Sequence, residues 1–128
     1  MNRKINHHFR NSKSSLPESV RHINEIADAE RLLFLQVWFN RRVKALFTNQ
    51  FGEIVINKDG SRPIESGDLP PLPDTRYRDE ALALVQDSFK RYGWENFGPW
   101  TDFEWGMING KLSAIRWMLG DEWDMLDT

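Results

Sequence analysis

The chain has no cysteine, which removes disulfides, thiolate zinc sites and cysteine nucleophiles at once. Histidine is scarce and confined: His7, His8 and His22 all fall in the first 22 residues. Adjacent histidines point apart on any regular element, and neither a helical His-x-x-x-His nor a Glu-x-x-His bundle motif is present, so no bound metal is expected. Long apolar runs are missing too. The most hydrophobic stretch, Leu32 to Phe39, is interrupted by Gln36 and followed by Arg41 and Arg42, far short of the ~20 apolar residues that span a bilayer. No apolar signal core follows Arg3 and Lys4, so a soluble, cytoplasmic chain without a secretory segment is expected. The glycines at 93, 98, 106 and 110 match neither nucleotide-binding fingerprint, and no serine sits in a nucleophile elbow. Carboxylates are plentiful, but Asp102 with Glu104 reads as helix capping and Asp121 with Asp124 as solvated surface. Reaction chemistry needs converging groups that no spacing here demonstrates, so neither an enzyme nor a cofactor is expected.

What is present describes an ordinary globular chain. Its 128 residues, 40% hydrophobic and 28% charged, suffice for one domain with a core of its own. The net charge of −2 hides an asymmetry: residues 1–50 carry nine basic against four acidic side chains, residues 51–128 eight against fifteen. Arg3, Lys4, Arg10 and Lys13 make the first fifteen residues a flexible basic arm without a single acid. Such an arm is either a solvated tail that meets acidic surface or, together with Arg41, Arg42 and Lys44, an electrostatic footprint for nucleic acid.

Hydrophobic periodicity then gives a mainly α, three-helix domain over residues 16–128. Pro17 and Glu18 suit a first helical turn, and a helical pattern runs over about 17–48. Its early part shows one stripe, Val20, Ile23, Ala27, Phe34 and Trp38, whereas Leu32 to Phe39 is apolar all round and predicts burial on every side. Phe51-Gly52 breaks the pattern. The β-branched run Ile54-Val55-Ile56 and the turn signal Lys58-Asp59-Gly60 predict a short β-hairpin or extended excursion between the first and second helices, although Pro63 beside Ile64 restricts pairing. Residues 65–75, with Gly67, Pro70, Pro71 and Pro73, form a stiff connector; Pro70-Pro71-Leu72-Pro73 reads as connector in preference to a ligand for a proline-recognition domain. A second helix follows over 75–92, capped by Asp74 or Thr75, apolar along Leu82, Val85, Phe89 and Tyr92, and stopped at Gly93.

The third helix, 101–119, carries the most information. Thr101-Asp102-Phe103-Glu104 fits a capping box, and Gly120 marks the far end. At 100° per residue, Trp105, Ile108, Leu112, Ile115 and Leu119 form a core ridge. Opposite them run Gly106, Gly110 and Ala114, flanked by Phe103, Met107 and Trp117. Two interior glycines cost about 1 kcal/mol each in helix propensity, which predicts a close neighbour across the strip: the first helix of the same chain in the preferred reading, or the same strip of a twofold-related copy. Beyond Gly120, Trp123, Asp124 and Leu126 belong to an acidic-apolar tail, expected to fold back on the core or to serve as a docking peptide. The string GKLSAIRWMLGDEWDMLDT resembles the ending of a group of small bacterial proteins of unassigned activity; it covers 19 residues and implies no function. Upstream, Tyr92, Trp94, Phe97, Trp100, Phe103 and Trp105 line either a tight core turn, the preferred reading, or a ligand pocket. The functional expectation is a non-enzymatic interaction or assembly module binding another protein or itself as a homodimer, through Gly106, Gly110, Ala114, Trp117, Trp123, Asp124 and Leu126. The alternative is a small nucleic-acid-associated regulator using the basic N-terminal arm, and the second alternative, behind both, is a carboxylate-dependent enzyme.

Overall fold

A computed structural model describes residues 20–123, and its architecture follows from how one long helix meets two others. That helix is α1 (Ile23–Trp38), which passes directly into a π-helical turn (Phe39–Val43) and a last α-helical turn, α2 (Lys44–Phe47). It begins later than Pro17 implied: Val20 to His22 are not helical, and His22 makes no side-chain cap bond. Of the stripe read from the early part, only Trp38 packs on the core. Val20, Ile23 and Ala27 are exposed, and Phe34 keeps an open edge with the Arg116 guanidinium 5.5 Å from its ring centre. Burial starts at Leu32, where neighbouring elements first cover the helix.

The π turn explains which residues take over. Leu35, Phe39, Val43 and Phe47 are spaced by four and all lie in one buried cluster. In a regular α-helix a spacing of four drifts about 40° around the axis at each step. The wider π turn takes up that drift and holds the row in line. On this side the row meets Val85 and Ala81 of α3 (Arg76–Tyr92), together with Val55 and Phe97. Phe39, Phe89 and Phe97 form a triad of rings with centroids 5.4–5.7 Å apart. On the other side Val37, helped by Leu33, meets Ile108 and Leu112 of α4 (Asp102–Met118). The expectation of burial all round holds for the two packed sides of the helix and fails at Phe34.

Between α2 and α3 the expected β-hairpin does not form. A single isolated antiparallel bridge joins Thr48 and Ile54. Val55 N–H donates back to the Phe47 carbonyl at 2.8 Å, and the Asn49 side chain closes the turn between them, its Oδ1 accepting from the amides of Phe51 and Glu53 at 2.9 Å while Nδ2 donates to the Ser66 carbonyl at 2.9 Å. Local side-chain bonds of this kind compete with strand pairing, and Ile64, the sole apolar candidate for the return strand, is fully exposed. Val55 is buried against the helices, and Leu69 and Leu72 of the proline connector pack on the same cluster. Gly60 brings this excursion into close contact with α3: a Cβ there would stand 2.6 Å from the Gln86 Cα, and its φ is +89°.

The second and third helices keep the expected bounds. Asp74 accepts from the Arg76 amide at 2.9 Å at the start of α3, and Gly93, at φ +92°, follows its last residue. Arg91, four residues after Asp87, reaches across to Asp28 of α1 at 3.9 Å. At α4 the capping box is complete: Glu104 N–H donates to Thr101 Oγ1 at 3.1 Å, and Thr101 N–H to Glu104 Oε1 at 3.0 Å. The far end closes with Gly120 N–H on the Trp117 carbonyl and Asp121 N–H on the Arg116 carbonyl, the paired bonds of a Schellman stop. Arg116 Nε also donates to Glu30 Oε2 at 3.0 Å, tying α4 to α1. Among the described residues no helix is long and apolar enough to cross a membrane.

Candidate functional site

α4 is anchored by one side and bare on the other. Ile108 and Leu112 point into the cluster with Val37, and Trp105 packs beside them. Opposite, Gly106 and Gly110 face open space among the described residues: a Cβ built on either would meet none of their atoms within 4 Å outside its own helical surroundings. The preferred neighbour, α1 of the same chain, is therefore not there. The physical reason lies in the ridge, whose large side chains offer α1 far more apolar surface to bury than the glycine strip does.

The open face is a shallow trough. Its floor is Gly106, Gly110 and the half-buried Ala114, and its sides are built by Phe103, Met107 and Lys111. Phe103 is 75%, Met107 45% and Trp117 54% exposed. Trp123, 52% exposed, does not return to the core as one reading of the tail had it. It stands edge-on to Trp117, with ring centroids 5.5 Å apart and planes at 87°, and so extends the apolar face of α4. Five of the expected interaction residues, Gly106, Gly110, Ala114, Trp117 and Trp123, thus share one side of one helix and its following turn. Asp124 and Leu126 lie outside the described residues.

The basic residues divide differently. Arg3, Lys4, Arg10 and Lys13 are outside the described residues. Arg41 and Arg42 are exposed, and the Arg41 guanidinium sits 5.9 Å from the Trp105 ring centre, on the α4 side of the π turn. Lys44 turns the other way, donating to Asn40 Oδ1 at 3.3 Å at the edge of a cavity shared with the 54–58 excursion. The structure does not gather Arg41 and Lys44 on one contact surface.

That cavity, about 220 Å³, was not assigned from sequence. The aromatic stretch feeding it was noticed, and both readings of it hold in part. Phe97 is core, whereas Trp94 stands partly exposed at the cavity wall and Phe103 is on the open face of α4. The missing signal is long-range: Lys44, Lys58 and Trp94 come together only because the excursion folds back against the π turn. Among the described residues no three His, Asp or Glu side chains cluster as they would around a metal ion. Comparison of the chain with family models, with curated proteins and with solved structures finds no match in any of the three.

Proposed function

We propose that the chain is a non-enzymatic assembly module that pairs with a second copy of itself through the open face of α4. The observation that carries this is the bare glycine strip between large exposed apolar side chains. Two interior glycines cost helix propensity, and nothing within the described fold uses the access they leave. A twofold axis through Gly110 supplies a use. It sets Gly106 opposite Ala114 of the second copy and Phe103 opposite Trp117, so the pattern large-small-small-small-large is complementary to itself when reversed. Small residues at the crossing let two backbones approach closely, antiparallel helices align their dipoles favourably, and one patch meeting itself is what a twofold interface requires.

Magnitudes place the affinity. Burying Phe103, Met107 and Trp117 on both copies contributes on the order of 10 kcal/mol, set against an association cost of roughly 4 kcal/mol or more. The balance corresponds to a dissociation constant on the order of tens of micromolar. Sedimentation equilibrium between about 5 and 500 µM, a range bracketing that value, is expected to show a monomer–dimer equilibrium. Met107→Glu and Trp117→Glu, both at exposed positions, are expected to abolish it without loss of helical circular dichroism, while Lys90→Glu on α3 leaves it intact. A strictly monomeric wild type at the highest concentration refutes the proposal.

A further inference from the structure

The cavity beside the π turn has a composition that selects its occupant. One wall is the ring triad Phe39, Phe89 and Phe97, whose mutual packing makes it rigid. Ile54, Ile56 and Trp94 complete the apolar surround. The polar side chains at its edge are two ammonium groups, Lys44 and Lys58, and two neutral carboxamides, Asn40 and Asn57, with no acid in the lining. Neither ammonium is paired with a carboxylate among the described residues. Lys44 Nζ has the neutral Asn40 oxygen as its partner, and Lys58 Nζ sits 4.5 Å over the Trp94 ring. Asp59, the nearest acid in sequence to Lys58, accepts instead from the Ser61 hydroxyl at 2.6 Å and the Ser61 amide at 2.8 Å.

We infer that this cavity binds a small organic acid: one carboxylate between Lys44 and Lys58, and an aromatic or branched aliphatic body against the phenylalanine triad. Apolar walls with a few convergent polar groups are the general build of small-molecule sites. Two cations with no carboxylate partner among the described residues, over an acid-free lining, favour an anion over a neutral or cationic ligand of the same shape. The volume of about 220 Å³ limits the occupant to a compact molecule.

The test uses 4-phenylbutyrate and its neutral amide as matched probes, followed by ¹⁵N chemical shifts and isothermal calorimetry on the full chain. The carboxylate is expected to shift the amides of Ile56, Lys58 and the Trp94–Phe97 turn, and to bind about tenfold more tightly than the amide. Lys44→Gln with Lys58→Gln, at a half-buried and an exposed position, leaves the apolar walls in place and is expected to remove that preference while the weak binding of the amide persists. Equal binding of acid and amide, shifts confined to other regions, or a preference that survives in the double variant would each overturn the assignment. Stronger binding of a peptide of residues 121–128 than of phenylbutyrate at these amides would overturn it in favour of a partner's tail.

Discussion

Replacing Gly106 and Gly110 together by alanine separates what α4 needs for folding from what it needs for pairing. Among the described residues each added methyl enters open space, so the substitution is expected to act through helix propensity and the entropy of the unfolded chain, stabilising by about 0.4–1 kcal/mol per site. The sum, about 1–2 kcal/mol, corresponds for a chain of this size to a rise in Tm of about 4–7 °C. Association is expected to move the other way. Methyl groups at the crossing point hold the two helices apart, and the dissociation constant is expected to rise about tenfold or more. The assay is thermal unfolding by circular dichroism at low micromolar concentration, where the chain is monomeric, paired with sedimentation equilibrium at high concentration. A lower Tm in the dilute sample would refute the reasoning at its root, because the strip would then be in contact within the monomer. A higher Tm with unchanged association would preserve the fold argument and remove the strip from the interface.

Other substitutions probe the packing directly. Leu112→Ala removes a side chain with no exposed surface from the contact of α4 with α1 and is expected to cost about 2–5 kcal/mol in urea unfolding. Gly60→Ala and Gly52→Ala form a matched pair, since both have positive φ but only Gly60 lies against backbone, at Gln86. Gly52→Ala is expected to cost about 1–2 kcal/mol and Gly60→Ala clearly more, by the same denaturation measurement. Asp74 has its carboxyl group held below the usual 3.8 by the Arg76 guanidinium and then by the Arg76 amide. A depressed carboxyl contributes stability that is present above the unfolded value and lost as pH falls through the folded one. In Arg76→Gln the Asp74 titration, followed by side-chain carbon shifts, is expected to move upward toward 3.8.

The parts of the fold that could be read from sequence are those written in local chemistry. The capping box at Thr101 and Glu104, the Gly93 stop and the Gly120 stop fixed α3 and α4 almost to the residue, because each is satisfied by atoms a few positions away. The first helix was harder. Its π turn has no local marker, and at a constant 100° per residue Leu35, Phe39, Val43 and Phe47 do not align. The hairpin failed for a related reason: Ile54 to Ile56 has strand composition, but Val55 N–H pairs back with the Phe47 carbonyl at the end of α2 and not with a following strand. In the site, the two-faced character of α4 followed from spacing alone. Which face α1 would choose did not, since that depends on comparing two possible burials. The cavity needed three segments far apart in sequence to be placed together.

The arrangement of the two buried clusters sets how the molecule comes apart. The larger one binds α1, the π turn, α2 and α3 to the excursion, whereas α4 is held mainly by Val37, Ile108 and Leu112 with their half-buried neighbours and by the Arg116–Glu30 pair. Opening α4 alone exposes a small fraction of the apolar surface that complete unfolding exposes, so it is the lower-energy event. The amides of α4 are therefore expected to exchange with solvent through a partial opening while those around Val43 and Val85 wait for global unfolding. The helix with the open apolar face is thus expected to melt as a separate unit, and under the proposed pairing a second copy covering that face slows its exchange specifically.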